Sequence, residues 1–393
     1  MNILVFNVGS TTLKFACIET DSRKRVTHGL VDRIGQPGGD AADHLSAAQI
    51  ALDRHADIPL SAIGHRVVQG GDQFSAPTLV NPYVLNELRK LDTRAPLHNP
   101  PARAVIEAMT AKQLPIPQVL VFDTAYFATL PPKAFRYALP ESFYREHGIR
   151  RYGAHGTSHQ YVTRAAIDYL ASLRSASHST GTHTDSLQPA RIISLHLGGG
   201  ASVTASIGGI AVETSMGMTP LEGLVMATRT GDIDPAILLH LIRQLGMSVD
   251  EVDHLLNKRS GLLGLCGDVD MRAILQRREA GDPAAHLAIE IYVHRLQKYI
   301  GGYLAILGGL DALVFTAGVG ENAAVIRQLV AQPLAHLGIG IDPQRNSTAR
   351  VAGEIIDLTP AAAVVRTLVV PTDEELAIAQ QVAALIGEQN SNI

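Results

Sequence analysis

The stretch NVGSTTLKFACIE, residues 7–19, decides the fold of this chain. The apolar run ILVF, residues 3–6, leads into it, and glycine and hydroxyl residues at 9–12 interrupt it before the chain becomes apolar again from Leu13. Such a run, turn and run is typical of a β-hairpin. The tip carries small residues and hydroxyls beside Lys14, a composition that suits an anion held by backbone N–H groups.

A second stretch with the same design lies in the middle of the chain. IISLHLGGGASVTASIGG, residues 192–209, also predicts a strand, a glycine turn and a strand. A third glycine segment, TAGVGEN at 316–322, follows an apolar run, and we expect it to open a helix at Asn322. Each turn taken alone is more often an ordinary hairpin. Three of them on matching strands favour a nucleotide site, although none has the Walker or the GxGxxG order.

The bulk properties describe a globular protein of two domains. The chain has 393 residues, which is too long for one ordinary core, with 46% hydrophobic and 18% charged residues. Its net charge of −4 offers no basic surface for nucleic acid, and its apolar runs are too short to span a membrane. The two cysteines, Cys17 and Cys266, are expected to be buried free thiols, as in a reducing cytoplasm.

Buried strands and amphipathic helices alternate along the chain, which indicates the α/β class. Apolar runs predict central strands near residues 3–6, 119–122, 192–197 and 312–315. One helix is expected to begin at Pro235, with Asp234 as its N-cap and Gly246 as its stop. Another covers residues 283–307, and its spacing predicts one apolar face made of Ile289, Val293, Leu296, Ile300, Leu304 and Leu307.

One segment has a different composition. Residues 172–191 are rich in Ser, Thr and His and show no periodicity. Histidines in such a tract can bind metal, but a solvated loop is the commoner outcome. We therefore predict an exposed, mobile insertion there. No Cys/His spacing elsewhere predicts a zinc site.

A series of motifs carries a resemblance to a known family. In chain order, between residues 7 and 379, they are NVGSTTLKF, GHRVVQGG, APLHNPP, FDTAYF, RRYGAHGTSHQYV, HLGGGAS, ETSMGMTPLEGLVMATRTGDIDP, SGLLGLCGDVDMR, FTAGVGENAAVIR and PTDEELAIA. Together they resemble the acetate and propionate kinase family. That family uses Mg²⁺ to interconvert ATP plus a short carboxylate with ADP plus an acyl phosphate.

The resemblance implies the overall organisation of the protein. It implies two actin-like (ribonuclease H-like) domains of related topology, with nucleotide and substrate in the cleft between them. The N-terminal domain would comprise residues 1–147 completed by 371–393, and the nucleotide-binding second domain residues 148–370, with the mobile insertion at 172–191. The implied protein is a cytoplasmic homodimer that acts on acetate or acetyl phosphate with ATP or ADP.

The resemblance also implies residues for the phosphates and the metal. Lys14 matches a phosphate-binding lysine, and Asn7 and Glu374 match residues at Mg²⁺. Glu375 is the alternative within the same acidic pair. The other nucleotide positions implied by the family are His196, Leu197, Gly198, Gly199, Gly200, Asp270, Met271, Arg272, Gly318, Val319, Gly320, Glu321 and Asn322.

The chemistry implied by the family explains its cationic centre. Both substrates are anions, so charge stabilisation and alignment must do most of the work. Arg66 and Arg229 match the two active-site arginines of the family. Arginine suits this role because a guanidinium can bind phosphate or carboxylate oxygens in bidentate fashion. His155 matches the histidine that steadies the transferring phosphoryl group. Asp123 matches a carboxylate of the catalytic centre that either positions Arg66 or handles a proton.

The acyl group should occupy a small apolar pocket. The matching positions are Val68, Leu97, Ala154 and Pro220. Val68 favours a tight pocket, whereas Ala154 replaces the phenylalanine usual in the family and predicts good activity on propionate beside acetate. Further departures from the family pattern are Gln69 and Phe127 in place of histidines, Gly199 in place of asparagine and Glu213 in place of aspartate.

Two other functions remain open on the residues alone. A nucleotide-gated binding protein of the actin or heat-shock-chaperone type would need the glycine turns but neither Arg66 nor Arg229. A sugar kinase would need carboxylates and amides arranged around hydroxyl groups. The arginine-rich centre and His155 favour an anionic acceptor over both.

Overall fold

The computed structural model of the chain describes residues 1–9, 11–92, 99–177 and 188–391. Its strands are β1 Asn2–Val8, β2 Leu13–Glu19, β3 Lys24–Val31, β4 Ala62–Val67, β5 Thr78–Leu79, β6 Gln118–Phe122, β7 Arg191–Leu197, β8 Ala201–Ile207, β9 Ile210–Thr214, β10 Ala312–Thr316, β11 Ile356–Asp357 and β12 Arg366–Val369.

The helices connect these strands. They are α1 His44–Asp53, α2 Pro82–Lys90, α3 Asn99–Ala111, α4 Pro132–Phe135, α5 Glu141–His147, α6 Gly156–Ser177, α7 Pro235–Arg243, α8 Val249–Lys258, α9 Gly261–Cys266, α10 Met271–Glu279, α11 Pro283–Leu307, α12 Ala317–Asn322, α13 Ala324–Ala331, α14 Pro343–Thr348 and α15 Glu374–Ser391. Short 3₁₀ helices cover Asp123–Phe127 and Gln332–Leu337.

The chain divides into two compact units. The first comprises Met1–Ala128, Ala154–Ser158 and Asp373–Ile393, and the second Thr129–Gly153 and His159–Thr372. Relative to the boundaries expected from the sequence, residues 129–147 and 371–372 cluster with the second unit and residues 154–158 with the first.

Each unit contains a six-stranded sheet, and the two sheets share one topology. The first has the order β3-β2-β1-β4-β6-β5, and the second, read in the same direction, β9-β8-β7-β10-β12-β11. In both sheets the first three strands pair with one another in antiparallel fashion, and β1 and β7 are the third strands in these orders. The next two strands, β4 and β6 or β10 and β12, run parallel to β1 or β7. A short antiparallel strand, β5 or β11, forms the far edge. The expected α/β fold with two domains of related topology is confirmed.

Apolar sequence explains the burial of the central strands. Ile3, Leu4, Val5 and Phe6 of β1 are fully buried. Leu4 and Phe6 belong to a core cluster to which α1 and α3 contribute alanine, valine and methionine side chains. In the second unit, side chains of α6, β7, β10 and β12 form a comparable cluster. Strands covered on both faces read as continuous apolar runs, and this is why these strands were predictable.

Most predicted elements are confirmed. Both hairpins form, with Val8 paired to Leu13 and Leu197 paired to Ala201. The helix expected over residues 283–307 is α11, with the same bounds. Helix α7 begins at Pro235 after the Asp234 cap, but it ends at Arg243. Gly246 as its stop is therefore wrong, because this glycine, with φ +70°, lies three residues beyond the last helical residue.

The predicted insertion is regular at both of its ends. Residues 172–177 continue α6, and Arg191 begins β7. Ser172 and Ser175 are accommodated in the helix because their hydroxyls donate to the carbonyls of Tyr169 and Ala171. An insertion that starts at residue 172 is therefore wrong, and residues 178–187 lie outside the described part of the chain.

Two predictions from composition can be compared with the structure. Cys17 and Cys266 are buried free thiols, as expected. Within the described residues, no helix combines the length and the apolar character needed to cross a membrane.

Candidate functional site

In the first unit, Arg66 and Asp123 form a bidentate ion pair. Arg66 lies on β4, and Asp123 directly follows β6, the parallel neighbour of β4. Arg66 Nε donates to Asp123 Oδ1 at 3.1 Å, and Nη2 donates to Oδ2 at 2.5 Å. Asp123 is fully buried, and a buried carboxylate needs such partners. The ends of two parallel strands thus hold a fixed guanidinium.

Asn7 and Glu374 extend this pair. Arg66 Nη1 donates to Asn7 Oδ1 at 2.9 Å, and Asn7 Nδ2 donates to Glu374 Oε2, also at 2.9 Å. The same carboxylate oxygen lies 4.0 Å from Arg66 Nε. Burial alone would lower the pKa of Arg66, but the charges of Asp123 and Glu374 outweigh it and raise that pKa above its ordinary value. Arg66 is therefore a permanent cation.

The acidic pair at the start of α15 points in two directions. Glu374 contacts Asn7, whereas Glu375 Oε2 lies 3.6 Å from Arg25 Nη2. Arg25 also binds Asp373, with 2.7 Å between Nη2 and Oδ1. Sequence reasoning did not identify Arg25. The structure therefore brings Glu374, and not Glu375, to Arg66, Asp123 and Asn7. These four residues form the Arg66 cluster.

Residues 154–158 belong to the same unit and pack on Asp123. His155 has a φ of +59° and directly precedes α6. A Cβ atom on Gly156 would lie 1.8 Å from the carbonyl oxygen of Asp123, so the close approach requires glycine. Thr157 Oγ1 donates to Asp123 Oδ1 at 3.1 Å. Gly156 and Thr157 were not predicted as site residues, although both lie in the GAHGTSH motif beside His155.

The first glycine turn closes near the Arg66 cluster in the same unit. Gly9 N donates to Thr12 O at 2.8 Å. Lys14 is exposed on β2, directly opposite Asn7 in the hairpin register. His44 Nε2 lies 3.0 Å from the carbonyl oxygen of Gly9. Lys14 on β2 is thus paired with Asn7, a residue that contacts Arg66.

In the second unit, the β7–β8 turn and α12 are neighbours. Gly198 N donates to Gly200 O at 3.0 Å, which closes the turn. A Cβ atom on Gly198 would lie 4.0 Å from Ala317 Cβ. The turn residues His196, Leu197, Gly198, Gly199 and Gly200 therefore lie close to the helix that carries Gly318, Val319, Gly320, Glu321 and Asn322.

The helix expected to open at Asn322 begins five residues earlier, at Ala317. Glu321 explains the early start, because its Oε1 accepts from the backbone N of Ala317 at 3.0 Å and from that of Thr372 at 3.0 Å. This side-chain cap satisfies a backbone donor that the helix itself leaves open. The glycine segment is thus a short helix rather than a turn, and the prediction of a start at Asn322 is wrong.

The ring of a second histidine, His159, lies near that of His196. The His159 and His196 rings have centroids 6.1 Å apart. His159 is fully buried, with Nδ1 2.7 Å from Ser194 Oγ and Nε2 2.8 Å from Ser202 Oγ. Burial lowers the pKa of His159 well below its ordinary value, so the ring is neutral at pH 7.

The predicted nucleotide residues Asp270, Met271 and Arg272 lie at the start of α10, which packs on α11. Asp270 is the N-cap, and its side chain accepts from Arg272 N at 2.9 Å. The Arg272 side chain is 87% exposed and pairs with Asp270. Met271 is buried. This cap holds Arg272 at the surface of the second unit.

Arg229 in the second unit has a different environment from Arg66. Its Nη1 donates to the carbonyl oxygen of Pro220 at 2.7 Å, and burial lowers its pKa from the ordinary value. Among the described residues, no carboxylate forms an ion pair with it. A half-buried guanidinium without a carboxylate partner among the described residues is suited to bind an anionic ligand.

Helix α9 holds the backbone of the Arg229 loop. Leu262 N donates to Met226 O at 2.9 Å, and Ser260 N donates to Thr228 O at 3.0 Å. Gly261, with φ +63°, leaves room for this contact, because its Cβ would lie 2.2 Å from Met226 O. The loop that carries Arg229 is therefore fixed before any ligand binds.

The four expected pocket residues are distributed over both units. Val68 and Ala154 are buried in the first unit, and Ala154 is only 2% exposed. Pro220 belongs to the second unit, beside Arg229, and Leu97 lies outside the described residues. Tyr126 packs close to this part of the first unit, with its Cβ 3.0 Å from the position of a Cβ on Gly156.

The departures from the family pattern lie in ordered surroundings. Gln69 is buried, and its Oε1 accepts from Gly71 N at 2.9 Å. Phe127 is buried against Tyr126, with ring centroids 5.4 Å apart. Glu213 on β9 has Oε1 3.9 Å from Arg151 Nε, and burial raises its pKa. A side chain on Gly199 would meet nothing within 4 Å.

Comparison with known proteins gives a consistent result. Residues 40–380 match the sequence pattern of the Acetokinase family. Acetate kinase of Streptomyces griseus is 46% identical, over 98% of this chain and 97% of the relative, and that of Micrococcus luteus is 46% identical over 97% and 98%.

Solved structures agree with these sequence matches. Acetate kinase of Porphyromonas gingivalis superposes with a TM-score of 0.87 at 36% identity, over 98% of this chain and 99% of that one. A propionate kinase from Francisella tularensis also gives 0.87, at 39% identity over 97% and 98%.

Proposed function

This chain belongs to the Acetokinase family, and from that membership we propose that it is an ATP-dependent acetate kinase. It transfers a phosphoryl group between ATP and acetate, giving ADP and acetyl phosphate, and runs in both directions. The observation that carries the proposal is the guanidinium of Arg66, which Asp123 and Asn7 hold in one orientation. Such a fixed cation suits a reaction between two anions.

Arg66, Arg229 and His155 stabilise the transferring phosphoryl group. In phosphoryl transfer the negative charge spreads over three oxygens, so direct in-line transfer needs positioned cations more than covalent chemistry. Asp123 keeps Arg66 in orientation. Arg229, which has no carboxylate partner among the described residues, accepts the carboxylate or phosphate oxygens of the ligand.

The glycine turns and helix starts bind the nucleotide. Lys14 beside the first turn, and the backbone N–H groups of residues 198–200 in the second, contact phosphate oxygens. The segments 270–272 and 318–322 contact the adenosine. Support for this assignment comes from the packing of α12 against the β7–β8 turn.

The oxygen donors of the first unit fit a magnesium ion bound together with phosphates. Carboxylate and amide oxygens are the ligands that Mg²⁺ prefers, and it is commonly held by one or two protein groups plus phosphate and water. Glu374 supplies a carboxylate oxygen and Asn7 an amide oxygen, which accepts from Arg66 Nη1 in this structure. Within the described residues, no group of three or more His, Cys, Asp or Glu side chains could hold a metal. When bound, the ion neutralises charge on the phosphates.

Propionate is a second substrate in this proposal. Ala154 offers a methyl group where the family usually has a phenyl group, and a propionate kinase is among the structural relatives. One methylene in an apolar pocket changes binding by only about 1–3 kcal/mol, so discrimination between the two acids is limited. Acetate remains the better substrate because Val68 narrows the pocket.

The protein acts as a homodimer in the cytoplasm. Helix α7 is rich in Ile and Leu, yet none of its 9 residues is buried, and Ile237 and Leu239 are 42% and 49% exposed. An exposed apolar helix favours contact with a second copy. The free thiols Cys17 and Cys266 suit a reducing compartment.

Hydroxylamine trapping tests the proposed function. The protein is incubated with ATP, Mg²⁺ and acetate, and acyl phosphate is trapped as the hydroxamate. Hydroxamate that requires both ATP and acetate is the expected result. ATP hydrolysis without hydroxamate would instead indicate a nucleotide-gated binding protein, and phosphorylation of a sugar in a parallel reaction would indicate a sugar kinase.

A further inference from the structure

Asp123 receives a donor that the roles assigned above do not use. Thr157 Oγ1 donates to Asp123 Oδ1 at 3.1 Å, the same oxygen that accepts from Arg66 Nε. The other oxygen, Oδ2, accepts from Arg66 Nη2. Thr157 is 3% exposed and Asp123 is fully buried. The Thr157 hydroxyl therefore contacts the carboxylate where water has little access.

The position of Thr157 is set by the backbone. It follows Gly156, whose α-carbon packs against the carbonyl of Asp123 so closely that a Cβ would lie 1.8 Å from that oxygen. This segment and Asp123 thus touch at two points, the backbone of Gly156 and the hydroxyl of Thr157. A carboxylate held by a bidentate guanidinium and a hydroxyl has one preferred rotation about its side chain.

We propose that Thr157 is a positioning residue for the reaction, which locks the Asp123 carboxylate and through it the guanidinium of Arg66. This inference rests on the proposed function. Thr157 acts through Asp123 and does not touch the substrates. Without the hydroxyl, Arg66 is the one side chain among the described residues that donates to Asp123 Oδ1, and the buried carboxylate is held less firmly in the bidentate geometry.

The consequence should appear in the transition state. A guanidinium that can move stabilises the developing phosphoryl charge less well, whereas substrate binding depends on many other groups. We expect the loss of a hydrogen bond to a buried charged group to raise the activation free energy enough to lower kcat by about 10- to 100-fold. The KM for MgATP should change by less than about twofold, because the stabilisation that a misplaced Arg66 loses is mainly that of the transition state.

Variants of matched shape test the proposal. Thr157→Val removes the hydroxyl and keeps the volume, whereas Thr157→Ser keeps the hydroxyl. The control is Thr163→Val in the same helix, because Thr163 Oγ1 is buried and has no hydrogen-bond partner among the described residues. We expect Thr157→Val to lose kcat as above, and both Thr157→Ser and Thr163→Val to stay within about threefold of the parent. Thr157→Ala is a second variant if Thr157→Val does not fold.

A double-mutant cycle with Asp123→Asn shows whether Thr157 acts through Asp123. A radiolabelled phosphoryl-transfer assay measures all four enzymes, each normalised to folded protein. In the Asp123→Asn background, Thr157→Val should cost less than about twofold, because the two residues act as one unit. Equal losses in both backgrounds, or Thr157→Val as active as Thr157→Ser, would overturn the proposal. Turnover of the parent with acetate judges the proposed function separately.

Discussion

The contact between Gly156 and Asp123 gives the sharpest quantitative prediction. In Gly156→Ala, the new Cβ would lie 1.8 Å from the carbonyl oxygen of Asp123 and 3.0 Å from Tyr126 Cβ. Ordinary carbon contacts are about 3.5–4.0 Å, so the backbone of residue 156 and that of Asp123 must separate by well over 1 Å. The backbone of residue 156 fixes the position of the Cβ, and its closest partner is a backbone oxygen, so rotation of a side chain cannot relieve the clash.

The expected effect on activity follows from this displacement. Asp123 holds two nitrogens of Arg66, so a shift of its backbone moves the guanidinium or breaks the bidentate pair. A misplacement of about 1 Å at a reacting group can cost on the order of 10²-fold in rate. Overpacking costs typically about 1–3 kcal/mol of stability, which a chain of this size can tolerate. We therefore expect a folded enzyme with kcat lowered about 100-fold.

The assay combines steady-state kinetics with thermal unfolding. Acetyl phosphate formation gives kcat, and the melting temperature shows whether the variant is folded. The control is Gly302→Ala in the C-terminal part of α11, where a Cβ would meet nothing within 4 Å. Alanine in a helix interior is favoured by roughly 0.5–1 kcal/mol, so this control should keep kcat and melt no earlier than the parent. A folded Gly156→Ala enzyme with kcat within threefold of the parent would refute the reasoning.

Three further predictions concern the chemistry directly. Arg66→Ala and Arg229→Ala should each lower kcat by on the order of 10³-fold, since each removes transition-state charge stabilisation; near-normal turnover in a folded double variant would contradict this. Glu374→Ala should raise the Mg²⁺ concentration needed for half-maximal rate, and Glu375→Ala, whose carboxylate faces Arg25, should not; equal Mg²⁺ titrations would reject the assignment. Ala154→Phe should reduce kcat/KM for propionate more than for acetate, and equal losses for both acids would show that the acyl group lies elsewhere.

The fold was predictable because its signals are local. The strands β1, β7 and β10 are buried on both faces and appear as unbroken apolar runs, and the glycine turns between paired strands follow directly from residue type. Helix α11 could be bounded because its N-terminal Asp-Pro and its apolar face agree. Where a distant backbone group takes part, the local signal fails. Thr372 N and Glu321 stabilise the early start of α12, and the two residues are 51 positions apart.

The main residues of the site could be predicted from the sequence, but the contacts that hold them in place could not. Arg66, Asp123, Asn7 and Glu374 came from motifs, and the structure brings these four together in one unit. Thr157 lies 34 positions from Asp123, so nothing in its own neighbourhood indicates that its hydroxyl meets a carboxylate. A threonine near a helix start is usually interpreted as a cap, and only the tertiary contact indicates otherwise.

The acidic pair shows why adjacent residues of one type cannot be told apart from sequence. Glu374 and Glu375 are the first two residues of α15, and successive residues on a helix point about 100° apart. One direction leads to Asn7, and the other to Arg25, which lies 348 positions from Asp373. The helix cannot turn both carboxylates toward Asn7, and Arg25 holds the rotation by pairing with the residues on either side of Glu374. Arg25 on β3 thus determines that Glu374, and not Glu375, reaches Asn7, and Arg25 lies outside every motif that carries the family resemblance.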